Sequence, residues 1–246
     1  PHQLHFNFQK KKWYYDLEKN ILIQESEVAV GSLLSPDRSW LLSLKNYNLV
    51  LTNLENNQVL YLTEDGERYY DYASSPETNT HAVTQRLGGV IETPVAIWSP
   101  DSCKILTHKL DQRKVEPLFL LQNAPEGSQR PKIYEYRMSF SGDENIPLAE
   151  LVIIDVKNKT VIPLKTEPLL SPYLTPIEFK WIWWSENSQK VYYLRETRGA
   201  KALMLCVADP ITGATKILIT EESKTFVEPS QLPLWPHQIL ILEDNQ

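Results

Sequence analysis

The sequence has few glycines, and their spacing excludes two kinds of catalytic loop. Its eight glycines include no pair at the spacing of a serine-hydrolase elbow, Gly-x-Ser-x-Gly. They also form no glycine-rich loop of the kind that cradles phosphate groups. We therefore expect no catalytic residue within these 246 residues.

Cysteines and long apolar runs are scarce as well. Cys103 and Cys206 cannot build a disulfide framework, and because each lies in or beside an apolar run we expect two buried free thiols. No apolar run approaches the ~18 residues of a membrane span, and the first residues show no signal-peptide pattern. The sequence therefore predicts no membrane partner and leaves the compartment, cytoplasmic or periplasmic, open.

Positive charge is in deficit. Lys and Arg number 25 against 31 Asp and Glu, and the net charge of −6 argues against binding to nucleic acid or to anionic membranes. The one basic run, at residues 10–12, is typical of a solvated turn. His2 and His5 have no third ligand in view, so we expect neither a metal site nor a cofactor.

The prominent feature of the sequence is a corner motif that occurs three times. It reads WSPD at residues 98–101, LSPD at 34–37 and WSEN at 184–187, each time between two apolar runs. Proline fixes φ at a value suited to a tight turn, and Ser, Asp and Asn side chains bond to nearby backbone. The motif therefore predicts a hairpin corner between two strands, repeated along the chain.

Short β-rich runs follow each corner and predict four-stranded repeats. Around the first corner the pattern indicates strands at 28–34, 40–44, 49–54 and 59–63. The third repeat covers 179–220, close to the ~40–45 residues of a propeller blade. We predict an all-β partial β-propeller of four-stranded antiparallel blades. Its three whole blades lie at 28–63, 95–164 and 179–220, with part-blades at 4–25 and 232–242.

Two insertions interrupt this rhythm. The first covers residues 64–94 and includes a short helical or irregular piece at 80–89, and the second covers 109–147 after a strand at 104–108. Loops of this length often carry function. The part-blades at both ends suggest a segment cut from a larger ring, whose unpaired strand edges and apolar blade faces predict self-association.

The order of motifs in the second insertion resembles a known family. It contains RPK at 130–132, YEYR at 134–137, GDE at 142–144 and PLAEL at 147–151. Over about residues 28–243 the chain resembles the N-terminal β-propeller of the dipeptidyl peptidase IV branch of prolyl oligopeptidase-type serine peptidases. The resemblance implies that a C-terminal α/β-hydrolase domain, beyond Gln246, carries the catalytic Ser, Asp and His.

In that family the propeller limits access to the active site and anchors the substrate's amine with a pair of glutamates. The matching region here, residues 72–78, reads YASSPET, which leaves Glu77 as the acidic candidate, with Glu92 further along. Asp111 and Arg113 open the second insertion and are candidates to line the inner cavity and bind substrate. The alternative for these two is a solvent-exposed ion pair of little energetic value.

Two functions are compatible with these observations. The first is a non-catalytic propeller that gates and anchors peptide substrates for a serine-type dipeptidyl or prolyl peptidase, with a peptide and the hydrolase domain as partners. The alternative is a stand-alone β-propeller that serves as a protein–protein interaction scaffold.

Overall fold

The chain is built almost entirely of antiparallel β-sheets. The computed structural model describes residues 3–8, 11–17, 20–24, 31–87, 89, 92–227, 239 and 241. This part of the chain contains nineteen strands and one α-helix, which form four main sheets and a separate hairpin. Sheet I has the strand order β1-β2-β3, with β1 at Gln3–Phe8, β2 at Lys11–Asp16 and β3 at Ile21–Gln24.

Sheet II is a four-stranded meander in which each strand pairs with the next one along the chain. Its strands are β4 (Ser32–Leu34), β5 (Trp40–Lys45), β6 (Asn48–Asn53) and β7 (Val59–Tyr61). Strand β6 carries the buried run Leu49, Val50 and Leu51, and β5 adds the buried Leu42, whereas β7 is largely exposed. This gradient is typical of a blade whose outer strand faces solvent.

Sheet III lies next and carries both insertions. Its core order is β14-β13-β10-β8, and the short strands β9 and β15 add to β10 and β13. The bounds in chain order, with the helix and hairpin between them, are β8 (Tyr70–Tyr72), α1 (Asn79–Arg86), β9 (Ile97–Trp98), β10 (Lys104–Asp111), β11 (Pro117–Gln122), β12 (Lys132–Arg137), β13 (Leu148–Asp155), β14 (Thr160–Pro163) and β15 (Leu169–Leu170).

Sheet IV repeats the meander of sheet II. Its strands, in the order β16-β17-β18-β19, are β16 (Ile182–Trp184), β17 (Val191–Glu196), β18 (Ala202–Ala208) and β19 (Thr215–Glu222). The four-stranded antiparallel sheets confirm the all-β, partial-propeller prediction. The part-blade predicted at 232–242 falls almost wholly outside the described residues.

Each corner motif joins the first two strands of its blade through the same local hydrogen bonds. In the second corner the Ser99 hydroxyl donates to Asp101 Oδ1 at 2.5 Å and accepts from the Lys104 backbone N–H at 2.9 Å. The residue after the motif, Ser102, is left-handed with φ 60°, and its N–H donates to the Ser99 carbonyl at 2.9 Å. The first and third corners repeat this arrangement, as their sequences predicted.

Successive sheets pack face to face through two apolar clusters. Leu42, Leu49 and Leu51 of sheet II meet Ile105 and Ile154 of sheet III, and all five are fully buried. A second cluster joins sheet III to sheet IV in the same way. Burying an aliphatic side chain of this size contributes roughly 1.5–3 kcal/mol, so these clusters supply much of the stability.

Three local predictions are wrong for identifiable reasons. Cys103 is exposed, because it stands in the turn of the corner, whereas Cys206 is buried as expected. Strand β10 continues past His108 to Asp111, because residues 109–111 pair with β13 on one side and with β8 on the other. The strand predicted from 179 begins only at Ile182, because a hydrogen-bonded turn occupies the preceding residues, with Phe179 N–H donating to the Thr175 carbonyl at 3.0 Å.

Two features are absent from the residues that the structure describes. Among them no helix has the length and apolar character needed to cross a membrane. No group of three or more His, Cys, Asp or Glu side chains in that part of the chain is arranged to hold a metal ion. The His2 and His5 pair is outside this test, because His2 is not among the described residues.

Candidate functional site

The candidate site is built around the end of β10. Asp111, the last residue of this strand, pairs in register with Tyr70 of β8 on one side and with Leu148 of β13 on the other. The chain then turns sharply through Gln112 and Arg113. Side chains from both insertions converge here, because β8 belongs to the first insertion and β10 leads into the second.

Asp111 and Arg113 form a two-pronged ion pair. Arg113 Nη2 lies 2.8 Å from Asp111 Oδ2, and Arg113 Nε donates to Asp111 Oδ1 at 3.0 Å. Hydrogen bonding from Arg113 lowers the pKa of the Asp111 carboxyl. The guanidinium lies over the Tyr70 ring, 3.8 Å from its centroid, so it is held by the carboxylate and the ring together.

A second cation lies on the same tyrosine. Lys109 Nζ is 4.0 Å from the Tyr70 centroid and 2.6 Å from Asp65 Oδ2, and only 7% of the lysine side chain is exposed. The Tyr70 hydroxyl donates to Glu150 Oε2 at 2.8 Å, and burial raises the pKa of Tyr70 to about 12. The phenol therefore remains a protonated hydrogen-bond donor at neutral pH.

Glu77 lies beside this pair rather than in a remote loop. Its Oε2 accepts a hydrogen bond from the Arg137 backbone N–H at 2.7 Å, and its own N–H donates to Gln112 Oε1 at 3.0 Å. Gln112 is the residue between Asp111 and Arg113. The structure thus brings together all three acidic and basic candidates that the sequence suggested.

Arg137 is the clip that holds these segments in place, and its role was not recognised in the sequence. Its Nη1 donates to the backbone carbonyls of Arg113 at 3.0 Å and of Gln112 at 3.3 Å, and also to that of Val115. Its guanidinium lies 4.1 Å from the centroid of the Tyr69 ring. One side chain of β12 therefore joins the turn after β10 to the segment that carries Glu77.

Asp71 is a further acidic residue that sequence reasoning missed. Burial raises the pKa of its carboxyl to about 6, and the negative charges of Glu92 and Glu77 add to that shift. Its Oδ1 is buried and has no hydrogen-bond partner among the residues that the structure describes. The signal was an acid in the middle of the aromatic run at 69–72, which is otherwise typical of packing.

Negative charge is concentrated around Asp71. Three carboxylates, those of Asp71, Glu77 and Glu92, are close enough for the charges of the last two to act on the first. Such a group favours a cation, above all a protonated amine, which can donate several charge-assisted hydrogen bonds to the carboxylates. Arg113 lies on the opposite face of β8 from Asp71, because its guanidinium covers the Tyr70 ring and successive side chains of a strand point to opposite faces. The acidic group is suited to an amine, and Arg113 is suited to a carbonyl or a carboxylate.

Comparison with protein families gives a match over nearly the whole chain. The family model described as the dipeptidyl peptidase IV (DPP IV) N-terminal region matches residues 2–238. A sequence search of curated proteins returned no match.

Two solved structures share the fold at low sequence identity. One is the crystal structure of Porphyromonas gingivalis dipeptidyl peptidase 4, with 16% sequence identity and a TM-score of 0.62. The alignment covers 91% of this chain and 31% of the Porphyromonas gingivalis chain. The other is the crystal structure of a putative dipeptidyl aminopeptidase IV from Bacteroides ovatus ATCC 8483, with 16% sequence identity and a TM-score of 0.60. This alignment covers 94% of this chain and 30% of the Bacteroides ovatus chain. The chain thus spans about a third of the length of these two proteins.

Proposed function

The chain belongs to the dipeptidyl peptidase IV N-terminal region family, and from this membership we propose that it gates and anchors peptide substrates for a serine-type dipeptidyl or prolyl peptidase. The family membership confirms the resemblance inferred from the sequence. In the proposed protein, bond cleavage belongs to a hydrolase domain outside these residues, and the propeller selects and orients the peptide. The observation that carries the proposal is the convergence of Glu77, Asp111 and Arg113 at the end of β10.

Glu77 is the proposed anchor for the substrate's N-terminal amine. The Arg137 backbone N–H holds its Oε2, which fixes the orientation of the carboxylate before a ligand arrives. Asp71 and Glu92 add negative potential at the same place, and this attracts a protonated amine. An ammonium–carboxylate pair is strong when partly desolvated, and Glu77 is half-buried.

Arg113 is the proposed contact for the peptide backbone, with Asp111 as its positioning partner. Asp111 holds the Nε and Nη2 nitrogens of the guanidinium. The third nitrogen, Nη1, makes a long contact of 3.4 Å with Glu67 Oε1. Nearly half of the Arg113 side chain is exposed. A guanidinium held in this way can donate to a substrate carbonyl with little further loss of conformational entropy.

Hydrolysis of a Gly-Pro chromogenic substrate by the full-length protein tests the proposal. Glu77→Gln should raise KM at least about tenfold with a small change in kcat, because the lost charge weakens ground-state and transition-state binding alike. The matched control is Glu126→Gln, an exposed acid at the hairpin tip. An N-acetylated Gly-Pro substrate, which lacks the amine, should be a poor substrate for the wild-type protein and should lose nothing further in Glu77→Gln.

The outcomes distinguish the peptidase role from the alternative of an interaction scaffold. If Glu77→Gln and Glu126→Gln behave alike on the free-amine substrate, the peptidase role stands and Glu77 is not the anchor. If the full-length protein cleaves no prolyl substrate, the interaction scaffold becomes the better account.

Self-association is the second role that we propose, through the hairpin formed by β11 and β12. One face of the hairpin packs on α1, where Tyr134 and Tyr136 contact Ala82. The other face presents Phe119, which is 61% exposed, and the cross-strand pair of Leu121 and Ile133. An exposed apolar face of this kind is typical of a protein–protein contact, and a second copy of the chain is the proposed occupant.

A further inference from the structure

Strand β19 forms the outer edge of sheet IV and is longer than the matching strands of the two preceding sheets. It has eight residues, whereas β7 of sheet II has three and β14 of sheet III has four. Strand β14 also ends in Pro163, and a proline hinders pairing at a sheet edge. Short outer strands and prolines are devices by which proteins avoid pairing with another chain, and β19 has neither.

The outer edge of β19 is open to solvent. Every residue from 216 to 222 is exposed, and at the centre Ile217, Leu218 and Ile219 are 49%, 44% and 62% exposed. Apart from the ladder that joins β19 to β18, no backbone hydrogen bond within the described part of the chain involves residues 215–222. The edge therefore offers unpaired N–H and C=O groups and three consecutive aliphatic side chains to a further strand.

A β-bulge at Leu218 divides β19 into two halves. Ile217 pairs with Cys206, and Ile219 pairs with the residue before it in β18, so Leu218 has no partner there. Because Cys206 and Met204 of β18 belong to the apolar cluster shared with sheet III, their partners in β19 point towards sheet III. These partners are odd-numbered in the first half of β19 and even-numbered in the second. The extra residue thus shifts the alternation of side chains by one position.

This shift decides how β19 can pair with a second copy of itself. Two strands related by a two-fold axis run antiparallel, and residues directly opposite each other must point to the same face of the joint sheet. An axis between Leu218 and Ile219 pairs the first half of one copy with the second half of the other over all eight residues. The opposed pairs are then Thr215 with Glu222, Lys216 with Glu221 and Ile217 with Thr220. Because of the bulge, the two members of each of these pairs point to the same face.

The charges of β19 favour the same register. Lys216 of each copy lies opposite Glu221 of the other, so the two-fold axis creates two pairs of opposite charge. Among the described residues neither side chain has an ion-pair partner within the chain. Opposite charges that face each other across an antiparallel pair are favourable, and like charges are unfavourable. A strand without this charge pattern would leave both residues unmatched, so β19 selects a copy of itself.

We propose that β19 is an interface at which two copies of this chain pair, with the two-fold axis between Leu218 and Ile219. The two four-stranded sheets would then form one sheet of eight strands. The proposal extends the self-association proposed above to a second surface, and it does not depend on the contact through the β11–β12 hairpin. A protein that uses both contacts would assemble beyond a dimer, because each contact joins a different pair of copies.

Sedimentation velocity of the full-length protein with exchanged charges tests the proposal. Lys216→Glu places a glutamate opposite Glu221 at both symmetric positions, so the dissociation constant of this contact should rise about tenfold or more. Glu221→Lys should weaken the contact as much, and the double variant should associate as the wild type does. The control is Lys157→Glu in the exposed β13–β14 turn, which makes the same change of net charge and should alter the dissociation constant less than about twofold.

Phe119→Ser separates this contact from that of the hairpin. In the Phe119→Ser protein association should stop at a dimer, and the addition of Lys216→Glu should leave monomer. Association that is lost in Phe119→Ser but unchanged by Lys216→Glu would overturn the β19 contact and leave the hairpin contact standing. The reverse pattern would overturn the hairpin contact and support pairing through β19.

Disulfide cross-linking tests the register itself. In a Cys103→Ser background, Lys216→Cys mixed with Glu221→Cys should form a covalent dimer on mild oxidation, because opposed Cα atoms of an antiparallel pair are about 5 Å apart. Lys216→Cys alone should form little, because its two copies lie roughly 17 Å apart along the paired strands. The proposal is overturned if the mixture gives no more covalent dimer than either variant alone, or if the double charge variant does not regain association.

Discussion

The backbone N–H of Asp101 donates a hydrogen bond to the hydroxyl oxygen of Ser188, 87 residues further along the chain, at 3.1 Å. The same contact joins the Asp37 N–H to the Ser102 hydroxyl at 3.0 Å. In both cases the serine is the left-handed residue directly after a corner motif and contacts the preceding corner. The repeated motif therefore forms the turn of its own blade and also ties that blade to its neighbour.

Replacement of Ser188 by alanine tests the strength of this tie. Ser188→Ala leaves the Asp101 N–H without its partner in a part-buried setting, so we expect the free energy of unfolding to fall by about 1 kcal/mol. Ser141→Ala, at an exposed position, is the control and should change little. Urea denaturation measures both, and equal stabilities would show that solvent replaces the bond at no cost.

Two glycines with positive φ allow the cost of backbone strain to be measured apart from the cost of steric overlap. A Cβ added at Gly213, which has φ +69°, would overlap the Pro163 carbonyl oxygen, whereas at Gly199, with φ +84°, it would meet nothing within 4 Å. Gly199→Ala should therefore cost about 1 kcal/mol from left-handed strain alone. Gly213→Ala should cost clearly more, because β14 and the turn before β19 must separate. Denaturant unfolding of both variants gives the difference, and similar losses would contradict the steric account.

Two buried groups make opposite contributions to the pH dependence of stability. Burial lowers the pKa of His108 from 6.5 to about 4. The unfolded chain binds this proton more readily, so the free energy of unfolding decreases as pH falls from 6.5 towards 4. Burial raises the pKa of Asp71 from 3.8 to about 6, so the folded protein binds this proton more readily. That contribution is largest below pH 3.8 and is lost as pH rises to 6.

The substitution Asp71→Asn should make the contribution of His108 to the pH dependence of stability measurable on its own. Without the opposing carboxyl, stability should fall more steeply from pH 6 to pH 4 than in the wild-type protein. Urea unfolding at pH 4, 5, 6 and 7 measures the slope. In the control variant Glu126→Gln, an exposed acid, the slope should match the wild type. Superimposable profiles for Asp71→Asn and wild type would show that Asp71 titrates alike in the folded and unfolded states.

The exposed face of the hairpin predicts a change in oligomeric state. Phe119→Ser and Ile133→Ser remove apolar area from the proposed contact, so each should shift sedimentation velocity profiles towards monomer at a given concentration. The matched control is Ile211→Ser, which alters an isoleucine that is 73% exposed in the β18–β19 turn. A wild-type protein that remains monomeric over a wide concentration range would contradict this contact.

The fold was largely predictable because its repeated unit is local. In each corner, Ser, Asp or Asn and the following strand interact over at most five residues, as in the bond from Trp40 N–H to Ser35 Oγ. A pattern of that length can be recognised directly, and it predicted the strand pair that each corner joins. Cys103 was misjudged because the apolar run beside it suggested burial, although the turn places its side chain outside.

The site was predictable only in part. Glu77 was singled out because the family resemblance points to residues 72–78. Asp111 and Arg113 were singled out because they open the second insertion, and they are close enough in sequence to pair. The partners of Glu77 are 35 and 60 residues away, and Tyr70 meets Glu150 across 80 residues. Contacts over such separations depend on which strands pair and in what register. The sequence alone was therefore enough for the corners and for the hairpins that they join, because the bonds in these are short-range. The pairing of β8 with β10, the clip made by Arg137 and the environment of Asp71 follow from packing between distant segments, which only the folded chain reveals.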